Sequence, residues 1–196
     1  MDAWVRVRFD LRVTGLGHVP GAGPFLFAPN HVSHEDPVVM GAVAHRAGRR
    51  LRAVATAEVF DLPVVGRILH AAKQIPLDRV HSREGLVAAQ RALRAGEGLL
   101  LYPEGGIATG DAAMARSGVG RLALDGNVPV IPVSSWGLSP NHGRRVRAPA
   151  GVVVGGPVDL SRWVGVKGRT GAREASVAIL DAIRTQIPIA RDLASR

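Results

Sequence analysis

The stretch that decides the architecture is Phe25-Leu26-Phe27-Ala28-Pro29-Asn30-His31-Val32-Ser33-His34-Glu35-Asp36-Pro37. Its opening apolar run, Phe25 to Ala28, reads as a buried strand. Asp36 stands directly before a proline, which disfavours α geometry and suits an N-cap. Pro37 fits the first helical position, and Val38 to Ala47 can continue as a helix. The stretch therefore predicts strand, tight loop and helix, with His31 in the loop and Asp36 at the helix mouth. In α/β proteins, sites collect in loops at the C-terminal ends of strands. An imidazole there with a carboxylate in reach has the chemistry of a general base and its orienting partner. Two plainer readings stay open: Asp36 only caps the helix, and His31 only satisfies a turn carbonyl. A third is metallic, because His31, His34 and Asp36 offer three ligands within six residues. No second ligand cluster follows, since His45, His70, His81 and His142 stand alone and the chain has no cysteine.

Upstream, Val5, Val7, Phe9, Leu11 and Val13 alternate with Arg6, Arg8, Asp10 and Arg12, a period of two that predicts a half-buried strand. Gly15 to Pro24 is a turn-rich connector whose glycine spacing does not match a dinucleotide fingerprint. Downstream, Leu51 to Ala55 reads as a strand, Ala57 to Leu69 as irregular helix broken at Pro63, and Lys73 to Arg79 as a short strand. A helix is expected over Arg83 to Ala95, capped by Ser82, with Gly96 past its end. Leu99 to Leu101 then forms a buried strand running into Tyr102-Pro103-Glu104-Gly105-Gly106. A short helix from Arg116 to Leu124 ends at Gly126-Asn127. Val128 to Val133 carries two prolines, which points to an edge or irregular strand. Val152 to Val154 gives another strand, and the last helix spans Ala172 to Ile187, stopped by Pro188.

Composition sets the outer limits. The 196 residues suit one domain with one good-sized core. Hydrophobic content of 46% and a mean hydropathy of +0.13 describe a globular chain and exclude a disordered one. No apolar run is long enough for a transmembrane helix, and Arg6, Arg8, Asp10 and Arg12 interrupt any signal-peptide core, so a cytoplasmic location is expected. The absence of cysteine excludes a disulfide framework and a thiol nucleophile. Net charge is +9, carried by 23 arginines and only two lysines, which favours anionic partners. Aromatics make up 4% and do not interleave with basic residues, which argues against a nucleic-acid platform.

Four blocks resemble the glycerolipid acyltransferase family that includes the 1-acylglycerol-3-phosphate acyltransferases. The first is Asn30-His31-x4-Asp36, the family's His-x4-Asp motif. The second is Ile75 and Arg79, with Lys73 where the family has glycine. The third is Tyr102-Pro103-Glu104-Gly105, and the fourth is centred on Pro132. They occur in order within residues 30–133, and looser similarity reaches Leu160. After Gly105 the chain departs from the pattern: Gly106, Ile107 and Ala108 replace the common Thr, Arg and Ser.

The resemblance implies a single α/β domain over residues 1–196, with a mixed central sheet flanked by helices as in glycerol-3-phosphate acyltransferases. It implies an enzyme without a cofactor or metal. The fatty acyl group would pass from acyl-coenzyme A or acyl-carrier protein to a lysophospholipid hydroxyl, 1-acylglycerol-3-phosphate foremost, in phospholipid biosynthesis. His31 would be the base and Asp36 its partner. Arg79 would hold the acceptor phosphate with Lys73 or Arg116, while Glu104 and Gly105 would shape the acceptor pocket. Attachment would be peripheral, on an anionic membrane at the inner face of the plasma membrane, through arginines and exposed apolar groups. Two rivals stand beside this: a metal-dependent hydrolase using His31, His34 and Asp36, and a catalytically silent lipid or anionic-surface binding module.

Overall fold

The computed structural model describes residues 2–78, 82–107, 115–138, 147–166 and 169–196. The strands are β1 (Phe9–Thr14), β2 (Phe25–Pro29), β3 (Leu51–Thr56), β4 (Ile75–Leu77), β5 (Gly98–Leu100), β6 (Val130–Trp136) and β7 (Ala148–Val154). They form one seven-stranded sheet in the order β1-β7-β6-β2-β5-β3-β4. Every neighbouring pair is parallel except β6 with β7, so the sheet is mixed. The helices are α1 (Asp2–Arg8), α2 (Asp36–Arg46), α3 (Ala57–Phe60), α4 (Val65–Ala71), α5 (Ser82–Arg94), α6 (Ser117–Gly126) and α7 (Arg169–Ala194).

The continuous apolar character of residues 25–28 has a direct cause: β2 lies mid-sheet and is covered on both faces. Phe25 and Phe27 face the α2 layer with Val39, Met40 and Val43, alongside Leu100 and Ile131. Leu26 and Ala28 face the layer of α5, α6 and α7 with Leu93, Leu122 and Ile179. All four β2 side chains are fully buried. A side chain of Phe or Leu size gains about 1.5–3 kcal/mol from such burial, so this short strand anchors both cores. At its entry, Gly98 leaves the room that the Phe25 ring occupies.

The two central connections leave the sheet on opposite faces. From β2 the chain passes through α2 to β3, and from β5 it passes through α6, on the other face, to β6. Sites in open α/β sheets collect at the carboxyl ends of neighbouring strands whose connections leave on opposite faces. The His31 loop follows β2 and the Glu104 turn follows β5 at that end, joined by the bond from the His31 N–H to Glu104.

Four local expectations are corrected. Residues 5–8 are the end of helix α1, and only residues 9–14 form β1. Val5 and Phe9 are both buried and stand four apart, a spacing the helix satisfies as well as the strand does. Asp2 and Arg8 tie α1 to α2 through Arg46 and Glu35. Asp36 is the first residue of α2, after Glu35 at the cap position, and its side chain is turned back to the preceding loop. β6 is central, between β7 and β2. Pro132 is tolerated there because its N–H side faces past the last β6–β7 pair, Val133 with Val154; its carbonyl accepts the Gly155 N–H at 2.8 Å. Finally, α7 continues through the exposed Pro188 to Ala194. Ala190 and Ala194 press their backbone against Gly151 of β7, and this burial offsets the hydrogen bond the proline cannot donate.

Candidate active site

The loop between β2 and α2 is built around one carboxylate. Asp36 is fully buried, and its Oδ2 accepts the Val32 N–H at 2.7 Å, the Ser33 N–H at 2.9 Å and the His31 ring at Nδ1, 2.9 Å away. The turn closes through Asp36 N–H to Ser33 O, and Ser33 Oγ accepts the Glu35 N–H. Backbone amides only donate, so Oδ2 is an acceptor throughout and the hydrogen of the neutral imidazole belongs on Nδ1. The lone pair is then on Nε2, the nitrogen a general base needs. The His31 side chain keeps 14% of its surface exposed.

Three further contacts hold this loop against the sheet. Asn30 bonds Ser135 of β6 through both ends of its amide: Oδ1 accepts the Ser135 N–H at 2.8 Å and Nδ2 donates to the Ser135 carbonyl at 3.1 Å. Nothing in the sequence joins these residues, which lie 105 positions apart. From the β5 side, Glu104 Oε2 accepts the His31 backbone N–H at 3.1 Å. Tyr102 stacks on the imidazole, with centroids 4.0 Å apart and planes inclined by 19°.

The electrostatics follow from burial. Desolvation pushes the Glu104 carboxyl up from the ordinary glutamate range, and the nearby Asp36 charge adds to this. The His31 N–H bond and the charges of His31 and of Arg184 on α7 pull the other way. Tyr102 is held well above an ordinary phenol, first by burial and then by the carboxylates of Asp36 and Glu104. Gly105 adopts φ +70°, a left-handed conformation that favours glycine, and the Arg116 side chain lies where a Cβ would be.

An acyltransferase family model matches residues 10–136, more than half of the chain. The chain belongs to the acyltransferase family. A lyso-ornithine lipid O-acyltransferase from Pseudomonas aeruginosa is 33% identical over 131 residues, 64% of this chain and 47% of that protein. An uncharacterized protein of Mycobacterium tuberculosis is 30% identical over 142 residues, 66% of this chain and 38% of its own length. The match thus spans less than half of either curated relative. The crystal structure of the 1-acyl-sn-glycerophosphate acyltransferase from Thermotoga maritima superposes with a TM-score of 0.66 at 23% identity, over 100% of this chain and 76% of that one. At that identity the likeness speaks for the fold.

Within this family domain, the structure brings His31, Asp36, Glu104 and Gly105 together beyond the carboxyl ends of β2 and β5, with Arg116 beside Gly105. It does not bring Lys73 there. Lys73 precedes β4, and its carbonyl accepts from Arg52 near the start of β3, at the opposite end of the parallel strands. The expected role of Lys73 beside an acceptor phosphate is therefore corrected. Its backbone, at φ +54°, does adopt the left-handed turn suited to the glycine it replaces. Arg79 lies outside the described residues. His34 is exposed, and no three histidine or acidic side chains among the described residues are grouped to hold a metal ion. The hydrolase reading thus loses its ligand set. Sequence reasoning missed Arg184 and the ring-stacking role of Tyr102. The aromatic residue before Pro103 was a visible signal for the second, but nothing marked the first.

Proposed function

We propose that this protein is an O-acyltransferase that moves a fatty acyl group from a thioester, acyl-coenzyme A or acyl-carrier protein, to a hydroxyl of a lysophospholipid. The observation that carries this reading is the bond from His31 Nδ1 to the buried Asp36, which leaves Nε2 as base in an acyltransferase family domain. The lipid oxygen attacks the thioester carbonyl carbon as Nε2 takes the hydroxyl proton. The C–S bond then breaks, and the proton passes to the departing sulfur as free thiol. Asp36 holds the imidazole in the required tautomer and stabilises the imidazolium. No protein nucleophile enters this scheme. The acceptor we favour is 1-acylglycerol-3-phosphate. The Pseudomonas relative's name makes a lyso-ornithine lipid the natural competitor. Arg116, beside Gly105, and Arg184, whose charge acts on Glu104, are candidates for holding the acceptor phosphate, and Arg79 is a third.

The same reading includes peripheral attachment to an anionic membrane at the inner face of the plasma membrane. No helix among the described residues is long and apolar enough to cross a membrane. Leu62, Val64, Val65 and Ile68 are all exposed on the α3–α4 segment, which leaves the sheet at the carboxyl end of β3, the end that carries His31. An exposed apolar cluster of this kind marks an interaction surface, and the net charge of +9 suits an anionic bilayer.

The test is thiol release followed together with lipid product, using both donors and a panel of acceptors that includes a lyso-ornithine lipid. Acceptor-dependent release should fall by about 10²–10⁴ in His31→Ala. Thiol release without acceptor points to a thioesterase. No release with either donor supports the silent binding module.

A further inference from the structure

We propose that Tyr102 is a positioning residue for the His31 base, and that its ring, not its hydroxyl, keeps Nε2 aimed at the acceptor; this rests on the general-base reading above. One hydrogen bond fixes the distance between Nδ1 and Oδ2 but leaves the imidazole free to pivot about that line. A flat surface in contact with the ring removes the pivot. Tyr102 supplies such a surface, since its ring lies nearly parallel to His31 at 4.0 Å.

The surface is itself held rigidly. The preceding residue, Leu101, donates its N–H to Phe27 of β2 at 3.1 Å, and the Tyr102 carbonyl accepts the Gly105 N–H at 3.1 Å. The side chain packs against the core on the α2 side of the sheet. The hydroxyl, in contrast, is buried and has no hydrogen-bond partner among the described residues. A buried hydroxyl without a partner carries a desolvation cost and performs no bonding role here. What the site uses is therefore the aromatic face. During transfer the same face lies against the imidazolium, and a cation over an aromatic ring is attracted by its quadrupole.

Tyr102→Phe and Tyr102→Leu separate ring from hydroxyl. We would measure kcat and KM for donor and acceptor, the unfolding midpoint, and the His31 Nδ1–H resonance in protein labelled with ¹⁵N-histidine. Tyr102→Leu should lower kcat by about 10–100-fold while each KM stays within about twofold, because a small misplacement of the base affects the reacting geometry more than binding. Its Nδ1–H resonance should broaden. Tyr102→Phe should keep both kcat and a sharp resonance. Equal loss in both variants would overturn the proposal, because it would show that the hydroxyl matters. A leucine variant with parental kcat and a sharp resonance would also overturn it, as would a loss of kcat that disappears on cooling below the unfolding midpoint. Should Tyr102→Leu fail to fold, Tyr102→Met takes its place under the same criteria. An inactive parent would sink the transferase reading, yet the resonance comparison would still decide whether the ring orders His31.

Discussion

Asp36→Asn tests the site's foundation. The asparagine must present its carbonyl oxygen where Oδ2 now sits, because the opposite orientation would set an NH2 group against three donors. Charge-assisted hydrogen bonds are roughly twice as strong as neutral ones, so each of these bonds weakens by about 1 kcal/mol, about 3 kcal/mol in all. The amide nitrogen then occupies the place of Oδ1, which is buried and has no partner among the described residues. An unsatisfied buried donor there costs about 1–3 kcal/mol more. The expected loss is about 4–6 kcal/mol, a large share of the 5–15 kcal/mol typical of a domain. Denaturant unfolding of parent and variant, with midpoint and slope both fitted, measures it. Thiol release is then assayed at a temperature where the variant is fully folded, and it should fall by about 10²–10⁴ because the imidazolium has lost its carboxylate. A stability loss below about 1 kcal/mol would refute the three-bond geometry. A folded variant with a parental rate would refute the role of Asp36 in the base.

Two other perturbations address neighbouring features. Burial raises the Glu104 carboxyl, so the folded state holds that proton more tightly than the unfolded chain. Its contribution is then favourable below the ordinary glutamate range and lost as pH rises through the raised value. Glu104→Gln, which keeps an acceptor for the His31 N–H, should raise the unfolding midpoint at pH 7, with the gain shrinking as pH is lowered through the carboxylate range. Thermal melts across that range check this, and a gain that grows toward acid would contradict it. Val64→Asp combined with Ile68→Asp changes two exposed side chains, so stability should stay within about 0.5 kcal/mol. Co-sedimentation with phosphatidylglycerol-containing vesicles should weaken at least about tenfold, while turnover of a short-chain, water-soluble donor and acceptor is kept. Unchanged vesicle binding would move the membrane face elsewhere.

The central part of the fold was legible in the sequence because its burial leaves a local mark. A strand covered on both faces must be apolar without interruption, and residues 25–28 are. Helices α5 and α6 carry their own stop signals in Gly96 and Asn127, and both end there. The failures came where neighbours overrule a local rule. Residues 5–9 satisfy two periods at once, and docking of α1 on α2 selects the helix. Pro132 and Pro188 break local rules, and each is accommodated by what lies opposite its missing N–H or by what packs beyond it.

The sequence by itself set a histidine and an aspartate within reach of each other in a loop after a buried strand, because only five positions and one tight turn separate them. Only the tertiary structure decided what surrounds that pair. Asn30 reaches Ser135, Tyr102 covers the imidazole and Glu104 takes the His31 amide because the parallel neighbours β6, β2 and β5 place their carboxyl ends side by side, while Arg184 approaches from α7. The same register carries Lys73 to the far end of the strands. Spacing along the chain fixes contacts within a turn. Contacts between strands depend on sheet order, which spacing alone does not encode.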